Sequence, residues 1–168
     1  MEMSDGEKLI AVMLADLLQA QGVKGELDPE FVKEAIFGND LWALKWEYGS
    51  LFHDEGPDEA TVRETADILT MCSFVEYSIK ELKPEELAQI PQDQRELFEG
   101  FDGNHDDHFG VSIMLIQKMK RWPEFAGRGL NSHSMVLPNY RRMYEVFKGF
   151  EIRHGGFNLD EIQAILAA

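Results

Sequence analysis

The chain has 168 residues, of which 44% are hydrophobic and 28% are charged. This composition excludes a disordered chain, because it supplies the apolar surface that a folded core requires. Its length predicts one domain with a single hydrophobic core. The formal net charge of −15 disfavours binding to nucleic acid or to an anionic membrane, since an acidic surface repels phosphate groups.

The negative charge is unevenly distributed along the chain. Residues 1–100 carry 8 Lys and Arg against 23 Asp and Glu, whereas residues 101–168 carry 8 of each. Within residues 118–153 the balance reverses, with eight basic residues and only three glutamates. This basic segment is suited to hold an anion or the acidic surface of a second subunit.

The single cysteine and the first residues indicate a cytoplasmic protein. Cys72 lies in an apolar helical pattern, which is typical of a small buried hydrophobe rather than of half a disulfide. The N-terminal stretch MEMSDGEK is acidic, whereas secretory and organelle-targeting segments begin with positive charge. The apolar run LIAVMLADLL is too short to span a bilayer, so we expect no membrane segment.

Three helices are predicted in the first third of the chain. Ser4 and Glu7 form a capping box, which predicts a helix over residues 5–21. Asp28, followed by proline, predicts the N-cap of a short second helix, and a third helix lies within residues 39–52. One stripe of the first helix contains Ile10, Met13, Leu14, Leu17 and Gln21.

Aromatic residues are concentrated in the third predicted helix. Trp42 and Trp46 lie four positions apart, on one helical face. With Tyr48 and Phe52 they resemble a platform for stacking bases, but the acidic residues around them would repel phosphates. We expect these rings to pack in the core or at an interface.

The longest apolar pattern predicts a central helix over residues 58–82. Its apolar residues cover more than half of the helical circumference, so the helix must be buried on several sides. Pro84 begins a short helix, and Pro91 interrupts it. Asp102 is the predicted N-cap of the next helix, which continues to about Arg121.

Two further helices complete the predicted fold. The last one follows the N-cap Asn158, and no segment alternates between apolar and polar residues as a strand does. The fold class is therefore all-α, a single-domain array of about six to eight helices around a long buried central helix. The other helix lies within residues 139–150, and its inward face is Tyr140, Met143, Tyr144 and Phe147.

Two longer motifs resemble the YfbU-like family of bacterial proteins: FEGFDGN at 98–104 and NSHSMVLPNYRRM at 131–143. The segments ATVRETADILTMCSFVEYSIKEL and FNLDEIQAIL are also similar to that family, so the resemblance covers most of the chain. It implies a compact, all-helical, self-associating cytosolic protein, and it implies no reaction. The segments LWALKWEYGSLF and HDDH match the family less well.

The stretch FEGFDGNHDDHFG contains the first candidate site. His105 and His108, with Asp102 and Asp106, form a mixed nitrogen and oxygen ligand set for Zn, Mn or Fe. Aspartates are also expected in the first turn of a helix, where they interact with its exposed N–H groups and its dipole. We favour a helix end, a turn and an acidic helix N-terminus, and we expect no bound metal or other cofactor.

The segment GRGLNSH contains the second candidate site. Arg128 lies between two glycines, so backbone and guanidinium together are able to enclose a phosphate or carboxylate. The spacing of Arg128 and His133 also resembles the R-x4-H motif of HEPN-type ribonucleases, in which Arg would stabilise the phosphorane and His would transfer protons. Those motifs have a polar residue after the Arg, where this chain has Gly129. We favour a glycine-rich connection in which Asn131 or Ser132 caps a turn.

Arg141 and Arg142 are adjacent, so on a helix they point about 100° apart. Two interpretations remain open for this pair. They form ordinary ion pairs on a solvated face, each of small energy, or one of them forms a salt bridge across a subunit interface with the acidic part of a second copy. The candidates for anion or partner binding are therefore Arg128, Asn131, His133, Arg141 and Arg142.

The functional expectation is a non-enzymatic, oligomeric interaction or regulatory protein with a recognition surface around residues 128–142. Its expected partners are further copies of the chain and another protein, but not nucleic acid. The alternative is a phosphodiester-hydrolysing enzyme, using either Arg128 and His133 or a metal at His105 and His108. The sequence contains no G-x-S-x-G nucleophile motif and no phosphate-binding glycine loop.

Overall fold

The computed structural model describes residues 2–52 and 56–168, which form eight α-helices and no β-strand. This confirms the predicted all-α fold class. None of the helices in these ranges is long and apolar enough to cross a membrane. The chain folds into two compact units, the N-terminal unit (residues 1–56) and the C-terminal unit (residues 57–168).

The N-terminal unit begins with the capping box that the sequence predicts. The Ser4 hydroxyl accepts the N–H of Glu7, and the Glu7 carboxylate accepts the N–H of Ser4. Gly22 ends the first helix in the left-handed conformation, with φ of 64°. Asp28 caps the second helix by accepting the N–H of Glu30. The helices are α1 (Asp5–Gln21), α2 (Pro29–Phe37) and α3 (Leu41–Glu47), followed by a 3₁₀ turn at Gly49–Leu51.

Small side chains allow α1 and α2 to pack closely. Within α1, all of whose residues are described, Ala15 alone is fully buried, and Ala11 and Val12 are partly buried on the same side. Lys33 of α2 forms an ion pair with Asp16 of α1, with 2.8 Å between Nζ and Oδ1. The large aliphatic side chains of α1 are therefore not used in this contact.

The C-terminal unit is built around the predicted central helix. Nine residues of this helix are buried, and it contacts three other helices of the unit. Tyr140 and Phe147 are also buried, while Met143 and Tyr144 are half-buried, which confirms the predicted inward face. The helices are α4 (Glu59–Glu81), α5 (Pro84–Leu87), α6 (His108–Ser112), α7 (Leu137–Phe147) and α8 (Leu159–Leu166).

The helix after the FDGN turn begins five residues later than predicted, at His108. Asp102 is not its N-cap. Instead, the Asp102 carboxylate accepts the N–H of Asn104 and bonds to His105, which closes a turn. The prediction was wrong because an aspartate before Gly-Asn suits such a turn as well as it suits a helix start. From Ile113 to Lys118 the helix continues as a π-helix.

Buried apolar residues are unevenly divided between the two units. Among the described residues, the N-terminal unit contributes only Ala15, Ala35, Ile36 and Leu44 to the buried apolar set, and the C-terminal unit contributes the others. The single core expected from the sequence is therefore found in the C-terminal unit. The N-terminal unit has little core of its own, and the one-domain description stays a prediction.

Gly100 shows how closely two segments of the C-terminal unit approach each other. Its φ is 93°, and a Cβ at this position would lie 2.3 Å from the carbonyl oxygen of Leu130. Only a residue without a side chain fits there, because both the backbone conformation and the space require it.

We therefore expect Gly100→Ala to lower the free energy of unfolding by about 2–4 kcal/mol. Urea denaturation followed by circular dichroism measures this change. Gly129→Ala is the matched control, since a Cβ at Gly129 meets no described atom within 4 Å. Equal effects of the two substitutions would contradict the close approach at Gly100.

Candidate functional site

The two motifs that carry the family resemblance lie side by side. Phe101 and Asn131 form an isolated parallel β-bridge. The Phe101 N–H donates to the Leu130 carbonyl over 2.9 Å, and the Ser132 N–H donates to the Phe101 carbonyl over 3.0 Å. The Asn131 side-chain oxygen accepts the N–H of Gly103 over 3.0 Å. Asn131 therefore holds the FDGN turn in place.

His133 lies exposed beside this bridge, in a left-handed backbone conformation with φ of 52°. Its N–H donates to the side-chain oxygen of Asn131 over 3.0 Å. The pKa of the nearby Asp102 is lowered by hydrogen bonds from the Asn104 N–H and from His105, with a smaller electrostatic effect of His133. His133 thus lies near the aspartate turn.

His108 bonds to a glutamate of the central helix. Its Nε2 lies 2.8 Å from Oε2 of Glu64, and its ring stacks on Phe101 with 5.5 Å between centroids. Glu64 also accepts two hydrogen bonds from Arg141, at 2.7 and 2.8 Å. The hydrogen bonds from Arg141 and His108 outweigh burial and lower the pKa of Glu64 to about 2. Glu64 thereby joins α4, α6 and α7.

The four candidate metal ligands are engaged in separate contacts. Asp102 pairs with His105 over 2.6 Å, the Asp106 carboxylate accepts the Asp102 N–H over 3.1 Å, and His108 pairs with Glu64. In the part of the chain that the structure describes, no group of three or more His, Cys, Asp or Glu side chains is placed to hold a metal ion.

Arg128 binds a buried carboxylate. Glu76 on α4 is 1% exposed, and its two oxygens accept from both terminal nitrogens of Arg128, at 2.9 and 2.7 Å. The backbone N–H of Phe98 donates to the same carboxylate over 3.0 Å. The guanidinium also lies over the Phe125 ring, 5.0 Å from its centroid. Hydrogen bonding to Glu76 raises the pKa of Arg128.

This pairing decides what Arg128 is able to do chemically. A phosphate that competed with Glu76 for these two nitrogens would leave a buried carboxylate without its cation, which costs several kcal/mol. The anion-binding and HEPN-like interpretations both require Arg128 to be available for a ligand. The geometry instead makes Arg128 the structural ion-pair partner of the buried Glu76 in the C-terminal unit.

Arg142 also binds within its own chain. Its Nε donates to the backbone oxygen of Ala168 over 2.6 Å, and its Nη2 donates to the Asn139 side-chain oxygen over 2.8 Å. Arg141, as described above, binds Glu64. Of the two interpretations of the arginine pair, these contacts favour ion pairs and hydrogen bonds on the protomer's own surface.

Sequence reasoning missed the two glutamates that organise these contacts. A signal for Glu76 was present, because it lies on the apolar stripe of α4, between Cys72 and Ile79. An acidic residue inside such a stripe must find buried donors. The stripe therefore indicated a buried ion pair, but the partner, Arg128, is remote in sequence. Glu64 is only half-buried, so its position gave a weaker signal.

The N-terminal unit carries most of the exposed apolar side chains of the described chain. Residues 2–52 are less than a third of the described residues, yet they contain twelve of the eighteen large hydrophobic side chains that are exposed in the described chain. Sequence reasoning recognised the stripe on α1 but not that it faces outward. The twelve are Leu9, Ile10, Met13, Leu14, Leu17, Leu18, Val23, Leu27, Phe37, Trp42, Trp46 and Leu51.

The outer face of α1 is largely apolar and carries no charge. At 3.6 residues per turn it occupies a sector of about 140°, opposite the side on which Ala15 packs. The four charged residues of α1, Asp5, Glu7, Lys8 and Asp16, all lie outside this sector. We define the outer face of α1 as Leu9, Ile10, Met13, Leu14 and Leu17.

Two tryptophans of α3 are exposed. Trp42 is 64% exposed and Trp46 is 82% exposed, and their rings meet edge to face with 6.3 Å between centroids. The Trp42 indole N–H donates to Asp40 over 3.0 Å, which fixes the ring. The expectation that these two rings pack in the core was therefore wrong. The expectation that they pack at an interface stays a prediction.

We expect Arg128→Met to lower the free energy of unfolding by about 3–5 kcal/mol, because it leaves the buried Glu76 carboxylate without its cation. Urea denaturation measures the loss. Arg63→Met is the matched control on α4, since the ion pair of Arg63 with Glu59 is exposed and contributes less than about 1 kcal/mol. A loss no larger than that of the control would contradict a structural role for Arg128.

Glu64→Gln should change how stability depends on pH. The pKa of Glu64 falls from 4.5 to about 2 on folding, so its stabilising effect is complete above pH 4.5 and is lost as the pH falls toward 2. The wild-type advantage over Glu64→Gln in unfolding free energy should therefore shrink between about pH 5 and about pH 2. Urea denaturation at several pH values tests this. The exposed Glu59→Gln is the control, and an advantage that stays constant with pH would contradict the assignment.

Comparison with known proteins identifies the family. No curated protein matches the sequence. The family model described as the YfbU domain matches residues 1–168, which include both compact units and both motifs at the Phe101–Asn131 bridge. Because the match covers the whole chain, the protein belongs to the YfbU family.

Proposed function

We propose that the protein is a non-enzymatic, self-associating interaction protein whose N-terminal unit provides the association surface. The observation that supports this most is the concentration of exposed apolar side chains in residues 2–52. Monomeric proteins seldom expose contiguous apolar patches larger than a few hundred Å², and larger patches are typical of interaction surfaces.

The exposed area is large enough for an interface. Phe37, Trp42 and Trp46 are 64–82% exposed. If a whole aromatic side chain contributes about 200 Å², these three expose about 450 Å². With the exposed aliphatic side chains of α1, the summed exposed area of the unit is roughly 800 Å², comparable to the area that one partner contributes to an interface of standard size.

The charge pattern favours a second copy of the chain as the partner. Residues 1–100 are strongly acidic, so two copies repel each other unless their contact surfaces lack charge. The outer face of α1 meets that condition, because its sector contains no charged side chain. A partner with charged residues at the contact would lose their hydration without gaining an ion pair.

The surface around residues 128–142 supports the proposal less than the N-terminal unit does. The guanidinium groups of Arg128, Arg141 and Arg142 have partners in their own protomer. The pairing of Arg128 with Glu76 also counts against the form of the hydrolytic alternative that uses Arg128 and His133. We place the protein in the cytoplasm, where a reducing environment suits the buried Cys72 thiol, whose pKa is raised by burial.

Ile10→Glu should disrupt self-association. The substitution places a carboxylate in the centre of the uncharged face, and burying it against a second copy would raise the dissociation constant about 100-fold or more. Size-exclusion chromatography with light scattering at several protein concentrations measures the mass.

Ile152→Glu is the matched control for this experiment. Ile10 and Ile152 have the same side chain and are 60% and 59% exposed, but Ile152 belongs to the C-terminal unit. We expect the control to keep the wild-type mass. A wild-type protein that stays monomeric at about 100 μM, or equal masses of the two variants, would overturn the proposal.

A further inference from the structure

An apolar groove lies between the three helices of the N-terminal unit. Its volume is about 380 Å³, within the range of about 300–1,000 Å³ that is typical of sites enclosing a whole small molecule. The groove has room for a large aromatic side chain. Side chains from α1, α2, α3 and the following 3₁₀ turn line it, among them Ala11, Val32, Ile36, Leu44 and Leu51.

The same unit presents an aromatic side chain that protrudes into solvent. Trp46 is 82% exposed, the highest value among the large hydrophobic side chains of the described residues. The Trp42 ring supports it edge to face, and Trp42 is itself held by its hydrogen bond to Asp40. An indole that a neighbouring ring restricts before binding loses less conformational entropy on insertion than a free one, and tryptophan is enriched at interaction hot spots.

We propose that self-association is reciprocal: Trp46 of each copy inserts into the groove of the other copy. This inference rests on the proposed self-association and specifies its contact. In a two-fold dimer each surface patch meets the same patch of the partner. A protrusion and a cavity on one unit therefore form two equivalent contacts, one in each direction. A second copy fits this description because Trp46 and the groove belong to the same three-helix unit.

The groove also matches the chemistry of an indole. Its lining is largely apolar, and it includes Glu2 and Glu7. A carboxylate beside an apolar wall is an acceptor for the single N–H of the inserted ring. A partner segment that carried a carboxylate at this position would instead be repelled by Glu2 and Glu7.

Two variants remove the contact from opposite sides. Trp46→Ala deletes the inserted ring, and Ala11→Phe fills the groove that receives it. Losing one hot-spot tryptophan contact weakens binding by about 30-fold or more. Because each homodimer of a variant loses both contacts, we expect its dissociation constant to rise roughly 1,000-fold. Sedimentation velocity over a concentration series measures these constants.

Mixing the two variants distinguishes reciprocal insertion from other contacts. In a mixed dimer, the intact Trp46 of the Ala11→Phe copy enters the intact groove of the Trp46→Ala copy. One of the two contacts is restored, so the mixed dimer should form about 30-fold more tightly than either variant alone. Circular dichroism verifies that each variant is folded. If Ala11→Phe does not fold, Leu27→Glu replaces it, since Leu27 also lines the groove.

The outcomes separate this inference from the proposed function. If Trp46→Ala keeps the wild-type dissociation constant while Ile10→Glu is monomeric, the protein self-associates and reciprocal insertion is wrong. If both variants weaken association and their mixture gains nothing, the reciprocal contact is also wrong. If the wild-type protein is monomeric, both proposals fail. Recovery in the mixture supports both.

Discussion

The C-terminal unit depends on one buried carboxylate. Glu76 is almost completely removed from water, and such a charge is tolerated only if donors replace the lost hydration. Its three donors come from the Phe98 backbone and from both terminal nitrogens of Arg128. The segments that carry these two residues are therefore held on the central helix by the need of this charge for donors.

The position of the two family motifs follows from this constraint. Phe98 begins the first motif, and Arg128 lies three residues before Asn131, the first residue of the second. With both segments bound to Glu76, their continuations run side by side and form the Phe101–Asn131 bridge. The close approach at Gly100 belongs to the same arrangement. The residues that looked like ligands in the sequence thus connect segments of a fold that has no sheet in its described part.

Local signals account for the elements that the sequence predicted correctly. The Ser4–Glu7 box, the Asn158 cap and the apolar pattern of α4 each involve residues within a few turns of one another. The pairs Glu76–Arg128 and Glu64–Arg141 join residues more than fifty positions apart, and no spacing rule links them. The prediction that Asp102 is a helix N-cap was wrong for a different reason. An aspartate suits both a helix start and a turn, and tertiary contacts select between these two local structures.

The two units use their apolar residues in opposite ways. Around α4 the large side chains are buried, whereas in the N-terminal unit two alanines, Ile36 and Leu44 pack inside and most of the large apolar side chains point outward. A unit of about 56 residues gains little stability from its own core when only four apolar side chains of its described residues are buried. Association that covers α1 and Trp46 would supply the missing burial, so the folding of this unit and its binding would be stabilised by the same contacts. The proposed assembly would require this outward orientation, since a helix that packed its leucines inward would have no uncharged face to offer a second acidic chain.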